Sequence, residues 1–395
     1  MACRRIDVNT ALVLSGGGVR GAYEVGVVQG IMEALGKRHV DPPPFRTFVG
    51  SSVGAINAAF FASHAHRGDL GVDALADIWR ALELRKHVRL DLWGALGLGP
   101  LRHAGKTVGR SMIDPKPLET LLDQGIDWER LHDNIDTGRA RALLVPALHV
   151  PTGATWVFAE LSPDLAFAPT PDKRRVLVRT RIGSQHILAS SAIPLIYPAR
   201  RIGPDPFYDG GLRFNTPIKA ALRAGATRLV VITAVGEDVI EVPPGDPGIM
   251  FLLGKVLNTL LLDPVRMELE SINRMNRLLD NLDGVLSVEG RANFDAAVAT
   301  SRGTPYRNVR VLSFWPSDNV SALSVTHLRK NLHRLRVGAL TRWMLGWATR
   351  RSGAEADWAT FILFDGLLAG RLIELGRMDA RRRANEIRDF FAEQA

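Results

Sequence analysis

Residues 45–65 read FRTFVGSSVGAINAAFFASHA. Phe45 to Val49 is a short apolar run of strand type, and Gly50-Ser51-Ser52-Val53-Gly54 ends it sharply. A helix rich in small residues then runs from about Ala55 to Ala65. A G-x-S-x-G pentapeptide between a strand and a helix has a mechanical reason. The serine sits on a tight, strained turn, and its glycines let the backbone pass close to neighbouring elements. Its hydroxyl is lifted to the carboxyl end of the strand. There the next helix directs its dipole and free N–H groups at developing charge. Ser52 holds the central position, while Ser51 comes one residue early and should point elsewhere. The plain alternative is a small-residue turn that packs a helix on a sheet.

Working outward, Ala11 to Leu14 is another strand-type run. A glycine cluster follows it, then a helical pattern from about Ala22 to Leu35. Gly36 suits the helix end, and Pro42, Pro43 and Pro44 enforce a loop. The order strand, turn, helix, loop, strand, turn, helix predicts an α/β layered unit with a largely parallel sheet. Ala142 to His149 and Ala154 to Phe158 read as strands around a turn, and Arg228 to Val235 as a buried strand. Pro243, Pro244, Gly245 and Pro247 mark a boundary. The division is therefore an α/β unit over 11–235 and a mainly helical region over 236–395 packed on it. Helices are expected near 249–281, 327–349 and 358–392. One strand, Val309 to Phe314, is expected to return to the sheet, and Val265, Leu269, Ile272 and Leu279 form a core-facing stripe.

Gly16-Gly17-Gly18-Val19-Arg20-Gly21 matches G-x-G-x-x-G after a strand. It can cradle a dinucleotide pyrophosphate, serve as a bare structural turn, or offer backbone N–H groups as an oxyanion hole for Ser52. The dinucleotide reading wants an acidic residue about 20 positions on, at a strand end. Asp41 lies near that distance, but prolines follow it and no convincing strand precedes it. The oxyanion hole is the favoured reading.

A serine hydroxyl needs a base. None of the ten histidines has a compelling strand-end context. His149, at the end of a strand, comes nearest. Asp209 opens Asp209-Gly210-Gly211, where the glycines permit a tight turn that holds a carboxylate close to another group. Taken alone, such a turn is usually only a turn.

The chain has 395 residues, 46% hydrophobic and 23% charged, an ordinary globular balance that excludes bulk disorder. The single cysteine, Cys3, makes no internal disulfide. Fifty Lys and Arg against 41 Asp and Glu leave an excess of +9, which favours anionic partners, phospholipid head groups or nucleic acid. No apolar run reaches the roughly 18 residues of a membrane span, and no secretory h-region opens the chain. A cytoplasmic chain with at most peripheral membrane contact is expected. Leu328, Leu332, Leu335, Ala339 and Trp343 recur at helical spacing within a basic stretch ending near Arg351. That pattern fits either an interfacial helix or a packed helix with a solvated basic face. No zinc-type ligand spacing and no calcium-loop pattern occurs.

Four motifs occur in order: GGGVRG at 16–21, GSSVG at 50–54, ASSAIPLIYPAR at 189–200 and YDGGLRFNTP at 208–217. Together they resemble the patatin-like phospholipase family across about the first 235 residues. The stretch DPVRMELESINRMNRLL also resembles a helix common in bacterial members. The resemblance implies a three-layer patatin-like fold with a mostly parallel central sheet. It implies a dyad of Ser52 as nucleophile and Asp209 as base. Gly16, Gly17, Gly18, Val19, Arg20 and Gly21 would form the oxyanion loop, and Gly50, Gly54, Gly210 and Gly211 would shape the turns. It also implies a phospholipid or lysophospholipid substrate, no metal or other cofactor, and no nucleic-acid partner.

Overall fold

The structure is a computed structural model that describes residues 9–83, 107–108, 114–170, 172–194, 196–212, 217–233, 249–331 and 364–392. The strands are β1 (Thr10–Leu14), β2 (Thr47–Gly50), β3 (Thr107–Val108), β4 (Ala142–His149), β5 (Thr155–Leu161), β6 (Arg175–Arg179), β7 (Ala199–Ile202), β8 (Asp205–Asp209), β9 (Arg228–Ile232) and β10 (Arg310–Phe314). The helices that cover them begin with α1 (Gly21–Ala34), α2 (Val53–Ser63), α3 (Val72–Arg80), α4 (Lys116–Gly125), α5 (Trp128–Asp136) and α6 (Ser184–Ser190). They continue with α7 (Pro217–Arg223), α8 (Ile249–Val285), α9 (Val288–Arg302), α10 (Val320–Asn331), α11 (Gly366–Arg382) and α12 (Ala384–Ala392).

One sheet runs β10-β9-β1-β2-β4, and these five strands are parallel. Every residue of β1, β2 and β9 is buried, as expected where helices cover both faces of a parallel sheet. Side chains alternate between the two layers. Leu12, Leu14 and Phe48 pack with α1, α2 and α11, while Ala11, Val13 and Val49 pack with α7 and α8. The fold is a mostly parallel, three-layer α/β arrangement.

The parallel order breaks at β4, and this break builds the site. β2 pairs with the first half of β4, with Val49 opposite Leu144. After Gly50 the chain turns away into α2, so that side of β4 is left open. The antiparallel β8 fills it, with Asp209 opposite Ala147. Had β2 continued, Ser52 would have fallen at that same step of β4. The register thus carries the end of β8 to the turn that ends β2.

The C-terminal region joins this core. β10 extends the sheet beside β9, as its apolar sequence suggests. α11 packs on α1 with backbone against backbone: a side chain at Gly26 would strike Ile373, and one at Gly376 would strike Tyr23 and Val27. Tyr23 donates to Asp379 at 3.1 Å, and Glu33 accepts from Arg377 and Arg381 at 2.7 Å each. Val265, Leu269, Ile272 and Leu279 are buried, as their stripe predicts.

Three expectations need correction. Helix α9 over Val288–Arg302 was not foreseen, because its pattern is weakly amphipathic and most of its residues stay exposed. The helix expected from 327 starts earlier, at Val320. The stretch expected over 358–392 breaks at Arg383, between α11 and α12. Leu328 is fully buried, but the rest of the basic stripe, with Trp343, lies outside the described residues.

Candidate active site

The turn after β2 is strained where the motif requires. Ser52 has φ 54° and ψ −129°, a backbone region that L residues rarely adopt. Such a conformation costs about 1–3 kcal/mol and persists only when its surroundings hold it. Here Ser51 N–H donates to Leu14 O at 3.3 Å, and Gly54 N–H to Ser51 O at 2.9 Å. Ser52 N–H donates to the Ser190 hydroxyl at 3.1 Å. The flanking glycines are obligatory. A Cβ at Gly50 would strike the Gly54 carbonyl, and one at Gly54 would lie 2.5 Å from the carbonyl oxygens of Leu14 and Ser15.

Ser52 faces the glycine loop. A Cβ on Gly16 would lie 3.0 Å from Ser52 Cβ and 3.8 Å from its Oγ. Gly17 (φ 150°) and Gly18 (φ 61°) take conformations open mainly to glycine. The N–H groups of Gly16, Gly17, Gly18 and Val19 have no acceptor among the described residues. Arg20 and Gly21 differ from them. Arg20 N–H donates to Gly17 O, and Gly21 N–H to Gly18 and Val19 carbonyls, so both are engaged in the turn. The Arg20 side chain is buried and reaches Ser321 at 3.1 Å on α10, so it braces the loop and is not a surface group.

Asp209 is wholly buried at the end of β8. Its Oδ1 accepts from Gly211 N–H at 2.8 Å, while Oδ2 has no partner at full hydrogen-bond geometry among the described residues. Burial pushes the carboxyl up to about 7, against the opposing pull of the Gly211 N–H and of hydrogen bonding from the Ser52 side chain. Gly210 is required for close approach, because a Cβ there would strike the Pro146 carbonyl. Asn215 and Thr216 of the same motif lie outside the described residues.

His149 is elsewhere. Its Nδ1 is 2.7 Å from Thr152 Oγ1, its Nε2 is 3.4 Å from Asp205, and its ring stacks on Trp156. None of these partners is Ser52, so the second candidate base is a packed histidine on β4.

The structure also brings in residues that the motifs did not single out. Asn57 on α2 donates to Gly21 O at 3.0 Å and to Glu24 Oε2 at 2.9 Å, and accepts from Trp79 Nε1 at 3.1 Å. Ser15 donates to Glu24 Oε1 at 3.4 Å. This buried network ties the glycine loop to the helix behind Ser52. A signal was present: Glu24 is a lone carboxylate in the first turns of the apolar GAYEVGVVQG. Burial holds the Glu24 carboxyl well above its usual range, although hydrogen bonds from Asn57 and Ser15 lower it. A carboxyl raised in the folded state binds a proton that the unfolded chain has already released. Its stabilising contribution is complete below pH 4.5, the ordinary glutamate value, and declines as pH rises above it. Glu24→Gln, neutral at every pH, is therefore expected to flatten the fall in melting temperature as pH rises above 4.5. Equal slopes for variant and wild type would refute a neutral Glu24.

A strained serine at the end of a parallel strand, facing a glycine loop on a doubly covered sheet, is the layout of an α/β acyl hydrolase. Residues 12–222 match the family model described as patatin-like phospholipase, more than half of the chain. The chain belongs to the patatin-like phospholipase family, and this membership supports lipid acyl hydrolase activity. Among solved structures it is similar to VipD from Legionella pneumophila, at 15% identity and a TM-score of 0.34, over 78% of this chain and 61% of that one. The chain thus spans about three fifths of the length of VipD. Comparison with curated proteins gave no match. Among the described residues no helix is long and apolar enough to cross a membrane, and no cluster of metal-ligating side chains occurs.

Proposed function

We propose that the protein cleaves fatty-acyl esters of phospholipids or lysophospholipids through a Ser52–Asp209 dyad. The observation that carries this reading is a wholly buried carboxyl at the end of β8, which the register of β4 carries to the strained turn of Ser52. Asp209 accepts the Ser52 proton as Oγ attacks the ester carbonyl. The N–H groups of Gly17, Gly18 and Val19 receive the negative charge on the carbonyl oxygen. The tetrahedral intermediate collapses, and the protonated Asp209 returns its proton to the departing alcohol or lysolipid. Water, deprotonated by Asp209, then attacks the acyl-enzyme and releases the fatty acid and free Ser52. Base assistance of this kind contributes ~10²–10⁴-fold, and one oxyanion donor ~10²–10³-fold. The excess of positive charge supports peripheral contact with anionic membranes from the cytoplasmic side.

The test is direct. The purified protein should be labelled by a fluorophosphonate probe and should release free fatty acid from mixed phospholipid and lysophospholipid vesicles. Absence of both would overturn the reading. Acyl transfer to an added alcohol in preference to water would move the protein to the transferase side of the same chemistry.

A further inference from the structure

A narrow apolar cavity starts beside the reactive turn. Val53, the residue after Ser52, lines it, and so do Ile56 and Phe60 on the same face of α2. Leu75 and Trp79 of α3 form one wall, and Leu122 of α4 another. Among the described residues no charged side chain lines it.

The cavity has a direction. α3 runs antiparallel to α2. Trp79 contacts Asn57 near the start of α2, while Gly71 before α3 abuts His64 after the end of α2. A side chain at Gly21 would touch both Val53 and Trp79, so the near end adjoins the glycine loop. Phe60 and Leu75 lie at the far end, seven residues along α2 from Val53 and about 10 Å away at 1.5 Å per residue. Between them stands Ile56. Every other residue of α2 is buried, but Ile56 retains accessible surface. An aliphatic side chain left accessible on an otherwise buried helix faces the cavity.

The cavity measures about 50 Å³, far below the ~300–1,000 Å³ of small-molecule pockets. It excludes bulky groups and admits a flexible chain only as the lining side chains give way. One occupant satisfies a dry apolar lining, a narrow bore and an origin at the reacting serine: the unbranched acyl chain of the substrate.

We infer that α2 is a ruler for acyl-chain length, with Ile56 setting its bore and Phe60 closing its far end. The inference rests on Ser52 being the acylated residue. It makes Ile56 and Phe60 specificity-determining residues that take no part in bond making. The chain lies along α2 in both the Michaelis complex and the acyl-enzyme, so chain length acts on kcat/KM.

The experiment uses the full chain and a series of p-nitrophenyl esters from acetyl to palmitoyl. Active protein is counted by fluorophosphonate labelling. Ile56→Trp should shorten the preferred chain, lowering the ratio of octanoyl to acetyl kcat/KM about fourfold for each methylene displaced from the cavity. Phe60→Ala should shift the optimum to longer chains. Ile56→Met and Phe60→Leu give the same comparison in milder form if the larger changes prevent folding. Opposite shifts support the ruler, because general destabilisation would move both variants the same way. Labelled, active variants with the wild-type profile would overturn the ruler and leave the dyad standing. A wild type that is neither labelled nor hydrolytic would instead refute the dyad.

Discussion

Ser52→Ala is expected to fold normally and to lose ester hydrolysis by roughly 10⁴–10⁶-fold, with complete loss of fluorophosphonate labelling. The reason lies in the register of the sheet. Ser52 sits where β2 leaves β4 and β8 takes its place, with its hydroxyl near the loop whose N–H groups from Gly16 to Val19 meet no acceptor among the described residues. Ser51, one residue earlier, is held by its N–H to Leu14 and by its carbonyl to Gly54, so its backbone has no latitude to replace its neighbour. Ser51→Ala should therefore leave most activity intact. Undiminished labelling of folded Ser52→Ala would place the nucleophile elsewhere.

Asp209→Asn is expected to lower kcat by about 10²–10⁴-fold while the protein remains folded. The pH dependence gives a second, independent reading. Asp209 acts as a base only when ionised, and its carboxyl is held at about 7 by burial. Wild-type kcat/KM should therefore rise with pH through about 7, and the residual activity of the variant should lack that limb. The effect on stability has the opposite sign. A carboxyl whose folded value is raised favours the fold below its ordinary value of 3.8, and that contribution is lost progressively as pH rises to about 7. Replacing it with a neutral amide should thus raise stability at pH 8 by on the order of a few kcal/mol. An inactive variant that melts higher than the wild type cannot owe its inactivity to unfolding. A variant with an unchanged pH profile would remove Asp209 from the chemistry.

Much of the fold was legible because its signals are local. The strand-turn-helix alternation around GGGVRG and GSSVG predicts the parallel half of the sheet, and Val309 to Phe314 reads correctly as a returning strand. The motifs also name the residues that the structure brings together at Ser52, Gly16 and Asp209. The antiparallel break at β4 was not legible. Nothing in the sequence near Asp209 reveals that β8 occupies the space vacated by β2, because pairing partners some 60 residues apart leave no local mark. The same reason hides Asn57, a small polar residue in an apolar helix, and leaves Ser190 inside its motif without a readable role, because the importance of each comes from the backbone group it meets. His149 ends a strand as expected, but its ring packs against Trp156 and Phe207.

The close packing of α1 on α11 has a consequence for the order of events during synthesis. Glu33 and Arg377, joined across that contact, are 344 residues apart. Contacts of such sequence separation form late, because the loop they close must be ordered before they reward it. The glycine loop is the lead-in to α1, and α1 acquires its backbone-to-backbone neighbour only after α11 has been made. A nascent chain that already contains Ser52, Asp209 and all four motifs still lacks the helix that clamps α1. Assembly of the proposed centre would then wait until α11 has been made, and a chain cut short before α11 would carry the motifs in its sequence without the scaffold that holds them.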